Sequence, residues 1–118
     1  MPANFKPSSH FVEVQTVEQF EAMLAVGRPM LVDFHGERCG PCEQLRPTLH
    51  ELADRYVNRV TVAGVDVGKV RDLAVQYQVR SLPAVLIFAN GKLSERIGGV
   101  KPAELYASIL DKLTAQEK

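Results

Sequence analysis

Cysteine occurs at only two positions in the 118-residue chain, within the run Cys39-Gly40-Pro41-Cys42. Two thiols separated by two residues can close into a disulfide or share a metal ion. The flanking residues narrow the choice. Met30-Leu31-Val32-Asp33-Phe34-His35 is a short, largely apolar run that reads as a buried strand. Downstream, Leu45, Leu49, Leu52 and Tyr56 recur at steps of four, three and four, a helical stripe. The pair therefore stands at a helix start, where unpaired N–H groups and the positive end of the dipole favour thiolate over thiol. The thiolate is the attacking species in disulfide exchange. Cys39, nearest the helix start, is the expected nucleophile, and Cys42, one turn in, the resolving thiol. A static disulfide and half of a zinc site are the alternatives. A zinc site needs about four ligands, and His10, His35 and His50 show no paired spacing that would complete one.

Asp33 is the second group with chemistry to offer. A carboxylate in a covered strand is costly unless paired, so its pKa should be raised. The opposing reading is an outward-facing strand residue. Alternation puts Leu31, Asp33 and His35 on one face and Val32 and Phe34 on the other. Pro41 fixes φ inside the turn between the cysteines and brings no N–H that would need a partner.

These groups must be held by a scaffold. Nearly half the chain is hydrophobic and about a quarter charged, as in ordinary globular domains. Fourteen basic residues balance fourteen acidic ones. That argues against nucleic acid or an anionic membrane as the main partner, since either favours a basic face. No apolar run approaches the ~20 residues of a membrane span. The first residues, Met1-Pro2-Ala3-Asn4-Phe5-Lys6-Pro7, lack the apolar core of a signal peptide. The expectation is a cytoplasmic protein, and there a lone Cys-x-x-Cys pair is more often catalytic than structural. The length suits one domain, expected over 10–118 and preceded by a loose arm over 1–9 with two prolines and two serines. Nothing in the chain calls for an oligomer, and a monomer is expected.

The elements follow in alternation. Phe11 to Val14 reads as a strand. Thr16 and Gln19 form a capping box for a helix that Gly27 and Pro29 end. After the strand from Met30 to His35 comes the helix beginning at the cysteines, with Pro47 expected to kink it. Val60 to Val67 reads as a strand, and Val70 to Tyr77 as a short helix. Ala84 to Phe88 is apolar at every position, as in a strand covered on both faces. Asn90-Gly91 is a hairpin turn, leading to a polar edge strand from Lys92 to Ile97. Pro102 is placed to open a last helix with Leu105, Ile109 and Leu113 on its apolar face, and Gln116-Glu117-Lys118 is expected to fray. The order β-α-β-α-β-α-β-β-α predicts an α/β/α sandwich of three layers, with a central mixed sheet of about five strands and four helices.

At this point the chain resembles the thioredoxin family over roughly residues 11–113. The resemblance rests on Val32-Asp33-Phe34, Cys39-Gly40-Pro41-Cys42, Pro47, Val79-Arg80-Ser81-Leu82-Pro83, Phe88-Ala89-Asn90-Gly91 and Gly98-Gly99 in combination. It implies a strand order with the third strand beside the second. It also implies a redox-active Cys39–Cys42 disulfide with no other bound cofactor, and protein disulfides as substrates. An NADPH-dependent thioredoxin reductase would be the partner that restores the dithiol. In the resemblance Asp33 exchanges a proton with Cys42, and Pro83 is a cis proline beside the dithiol. Arg38, Gly40, Pro41, Leu82, Pro83 and Gly99 form the substrate-binding rim, where the backbone of Leu82 pairs with an extended substrate segment. The competing function is a peptide-binding or chaperone module, or a dedicated partner of one client, with little general reductase activity.

Three positions depart from the family pattern. Arg38 stands where tryptophan is usual, His35 where an aromatic residue is usual, and Gly64 where a lysine is common. Arg38 can favour a thiolate at Cys39 or recruit acidic substrates. It can equally be a solvated arginine offset by Glu37 and Glu43. His35 reads as a structural histidine or as a second titratable group near the site.

Overall fold

The computed structural model describes residues 5–115. The expected tail residues Gln116-Glu117-Lys118 and the first four residues lie outside that range. Five strands and four helices follow in the predicted order: β1 Phe11–Glu13, α1 Val17–Ala25, β2 Met30–His35, α2 Gly40–Arg55, β3 Thr61–Asp66, α3 Arg71–Gln76, β4 Ala84–Ala89, β5 Lys92–Gly98 and α4 Ala103–Ala115. The sheet order is β1-β3-β2-β4-β5. β1, β3 and β2 run parallel, and β4 and β5 are antiparallel to their neighbours. The third strand lies beside the second, as the family resemblance implies.

Period-two alternation sorts the strand residues into two cores. Val32, Phe34, Val65, Leu86 and Phe88 pack with Phe20 of α1 and Leu73 of α3. Leu31, Val62, Val85 and Ile87 pack with Leu45, Leu49 and Leu52 of α2 and Tyr106 and Leu110 of α4. β2 and β4 are central and covered on both faces, which is why β4 reads as an unbroken apolar run and β2 as one interrupted only by Asp33 and His35. β5 is an exposed edge except at Ile97, in keeping with its polar sequence. Asn90 and Gly91 both take positive φ, 54° and 77°, as the tight hairpin turn demands.

Local signals set the boundaries, with small differences from expectation. Thr16 caps α1 through a bond from the Gln19 N–H, and the Gln19 side chain reaches back to the N–H of Gln15 rather than Thr16. α2 continues through Pro47 as one helix. The stripe expected on α4 is corrected in part: Ile109 and Leu113 pack half-buried against the core, but Leu105 is 38% exposed and the fully buried residues are Tyr106, Ala107 and Leu110. The buried face centres on Tyr106 and Leu110, one residue on from Leu105 and Ile109, so that Leu105 lies at its edge. Residues 5–9, expected within a loose arm, lie against α2. The Ser8 N–H donates to His50 Nδ1 (2.8 Å), the Ser8 hydroxyl bonds Asp54, and Phe5 meets the His50 ring edge-on.

Candidate active site

The parallel strand β2 delivers the chain to the N-terminus of α2, and the cysteines sit at that junction. Cys39 is the N-cap residue, with extended backbone (φ −109°, ψ 96°), and its Sγ accepts from the Cys42 N–H at 3.2 Å. A sulfur therefore does what a serine or aspartate oxygen does at other helix starts: it satisfies one of the orphan N–H groups. Pro41, in the first turn, has no N–H to leave unpaired. The two sulfurs are joined in a disulfide, with Cα atoms 5.2 Å apart. Cys39 is half-buried and Cys42 is buried, so the sulfur nearer the helix start is the accessible one. Gly40 is exposed, and a Cβ there would touch nothing. Arg38 takes left-handed backbone (φ 55°) and is exposed, with no ion-pair partner among the described residues.

The start of β4 meets the end of β2 because the two strands are antiparallel, Phe34 opposite Ala84. This brings the Leu82–Pro83 peptide, which is cis, to the same sheet end as the cysteines. Gly99 follows β5 with φ 77°, and its N–H donates to the Pro83 carbonyl at 3.0 Å. Leu82 leans on Gly36, where a Cβ would come within 2.9 Å of the Leu82 Cδ1. An open depression of about 380 Å³ lies beside this contact, lined by residues including Gly36, Glu37, Asp66, Gly68, Lys69 and Leu82. Its charges are mixed.

Asp33 is 1% exposed and shares its face of β2 with Leu31, so it lies on the α2 side of the sheet. Its Oδ1 has no hydrogen-bond partner among the described residues. Burial raises its carboxyl from 3.8 to about 7. The nearby His35 opposes that rise, Glu13 adds to it, and Arg46 opposes it. His35 pairs with Glu13, Nε2 to Oε2 at 2.7 Å. That bond, foremost, raises the His35 pKa against the effect of burial. Sequence reasoning singled out Asp33 and His35 but missed Glu13, Arg46 and, on α4, Tyr106, whose buried hydroxyl is raised by burial and by Asp33. One available signal was Gly64. A glycine inside a central strand often marks a place where something else approaches closely.

The family model described as Thioredoxin matches residues 11–112. Thioredoxin C-2 of Corynebacterium nephridii is 37% identical over 97 residues, covering 81% of this chain and 90% of its own. A thioredoxin of Acidithiobacillus ferridurans is 38% identical over 92 residues, covering 76% and 85%. A bifunctional thioredoxin reductase/thioredoxin of Mycobacterium leprae is 38% identical over 90 residues, 76% of this chain and 20% of that longer one. A mutant thioredoxin from Halobacterium salinarum NRC-1 superposes with a TM-score of 0.82 at 27% identity, covering 92% of this chain and 95% of that one.

Proposed function

Because the chain belongs to the thioredoxin family, and is a thiol–disulfide oxidoreductase with a disulfide-forming Cys39–Cys42 pair, we propose how its residues divide the work of reducing a protein disulfide. In the dithiol state the Cys39 thiolate attacks one sulfur of the substrate disulfide. That S–S bond breaks, and the other substrate sulfur leaves as a thiolate and takes a proton from solvent. Cys42 then gives its proton to the Asp33 carboxylate and attacks the Cys39 sulfur of the mixed disulfide. The second substrate sulfur leaves and is protonated in turn. The protein has lost two electrons and the substrate has gained them, with two protons. A carboxyl held near 7 can accept a proton and lose it again at neutral pH, which is what this step requires.

The observation that carries the reading is the capping bond from the Cys42 N–H to the Cys39 sulfur. It aims the helix start at the accessible sulfur, where thiolate charge is stabilised. Arg38, Gly40, Pro41, Leu82, Pro83 and Gly99 are the substrate-binding rim of this proposal. The backbone of Leu82, half-buried beside the depression, pairs with an extended substrate segment, strand against strand. Regeneration is assigned to an NADPH-dependent thioredoxin reductase, in line with the fused reductase of the Mycobacterium leprae relative. A cytoplasmic monomer, one domain over 10–118, completes the reading. It is consistent with a lone redox pair, and no described helix is long and apolar enough to cross a membrane.

The test is reduction of insulin by NADPH through an added thioredoxin reductase. Catalytic turnover that disappears in Cys39→Ser supports the reading. Slow stoichiometric binding of peptides by both wild type and Cys39→Ser would favour the chaperone alternative instead.

A further inference from the structure

Across three adjacent strands, Glu13 of β1, Gly64 of β3 and Asp33 of β2 stand in register. Residues directly opposite one another project to the same face. Two carboxylates thus flank a position that carries no side chain. The space is occupied from both sides: a Cβ on Gly64 would lie 2.9 Å from Glu13 Oε1, 2.9 Å from Phe11 Cζ and 3.2 Å from His35 Nε2. His35 follows Asp33 by two residues on the same strand face and bonds Glu13 over the bare glycine backbone, at 2.7 Å. Exposure rises along the series, from 1% at Asp33 to 18% for the His35 side chain and 38% for that of Glu13. A buried acid thus shares its sheet face with an imidazole that is bonded to a second, more exposed acid.

We propose that the Glu13–His35 pair, seated over Gly64, is the positioning element that sets the charge of Asp33 for the proton step with Cys42. This rests on the role assigned to Asp33 above. The groups facing Asp33 are His35 on its own strand, Glu13 on β1, Arg46 on α2 and the neutral Tyr106 on α4. Those facing His35 are Glu13, Asp33 and, at the end of β3, Asp66. Glu13, Asp33 and Asp66 each favour the protonated imidazole, so His35 holds its proton more tightly than a free histidine, and its charged form opposes the rise at Asp33. Arg46, the other cation in reach, makes no ion pair among the described residues and acts on Asp33 through space. Without His35, Glu13 would stand as an unbalanced anion beside Asp33, and the acid would hold its proton to higher pH.

The experiment follows the side-chain carboxyl of Asp33 and the His35 ring by NMR against pH, in the reduced protein. In His35→Gln the Asp33 midpoint should move up by about half a unit or more, the scale of a lost neighbouring charge. In His35→Lys, which restores a cation, it should return toward the wild-type value; a purely structural role would show no such rescue. Glu13→Gln, and Gly64→Ala, which pushes the flexible ends of the pair apart, should each lower the His35 midpoint. The alkaline shift should also appear in the pH profile of insulin reduction for His35→Gln, and be absent when His35→Gln is added to Asp33→Asn. An Asp33 midpoint within about 0.2 unit of wild type in His35→Gln overturns the proposal, since one missing adjacent charge cannot be that silent at a buried site. If Asp33→Asn alone leaves the rate unchanged, the proton-step role of Asp33 fails, and with it the proposal's functional half. The titrations distinguish that result from a failure of the electrostatic coupling.

Discussion

At the scale of single residues, the site is a sulfur that caps a helix and a carboxyl that folding has pushed toward neutrality. The sign of the Asp33 effect on stability is fixed. Its pKa is 3.8 by default and about 7 in the fold, so the native state binds its proton more tightly than the unfolded chain. The stability linked to this group is whole below pH ~4 and is lost as pH rises through ~7. Asp33→Asn removes the loss but leaves a buried amide to satisfy, at a cost of about 1–3 kcal/mol. The expected outcome is a variant more stable than wild type by roughly 1–3 kcal/mol above pH 8, after that cost is set against about 1.4 kcal/mol per pKa unit, with the advantage gone at pH 4. Urea midpoints at the two pH values measure it. The same variant should reduce insulin more slowly near neutral pH.

Elements position these residues, and they differ in how plainly they could be read. β4 is an unbroken apolar run and β2 a largely apolar one, with the cysteines just beyond β2 and the hairpin just beyond β4, so both were legible within a residue. α4 was placed correctly, with Ile109 and Leu113 facing the core as expected, but its buried face centres on Tyr106 and Leu110, and Leu105 lies at the exposed edge. That correction carries a contrast. Leu110→Ala, in the core, should cost about 2–5 kcal/mol, while Leu105→Ala, 38% exposed, should cost less than about 0.5 kcal/mol. Thermal or chemical unfolding of the two variants reads the difference, and equal losses would return α4 to its sequence-based phase. Thr16→Ala should remove the cap of α1 at a cost of about 1 kcal/mol, measured in the same way. The Glu13–His35 pair was not legible. Its members are 22 residues apart, and only the strand order β1-β3-β2 and the missing side chain at Gly64 bring them together.

For the molecule as a whole, the two faces of the sheet have different tasks. The α1/α3 face is an apolar core; the α2/α4 face also holds the buried polar groups, Asp33 and His50. His50 has its pKa lowered, by burial first and by Arg46. Its neutral ring also accepts the Ser8 N–H that ties residues 5–9 to α2. The stability linked to His50 is present above its ordinary 6.5 and is lost as pH falls through the lower folded value. Acidification should therefore loosen the N-terminal segment, seen as faster amide exchange at Ser8, and His50→Gln should remove most of that pH dependence. Surface charge is balanced across the chain, and the depression beside Leu82 carries both signs. An exposed Arg38 is then a local cation. Arg38→Trp should weaken the salt dependence of the reaction with acidic substrates and improve turnover of apolar ones.

In the proposed exchange, Cys39 attacks and Cys42 resolves. The direct measurement is mass spectrometry of Cys42→Ser, reduced and then mixed with a protein disulfide. A stable mixed disulfide should form, mapped by peptide mass to Cys39, and persist until an external thiol releases it. Wild type should pass through that species without accumulating it. No adduct at Cys39, or undiminished insulin turnover by Cys39→Ser, would contradict the account.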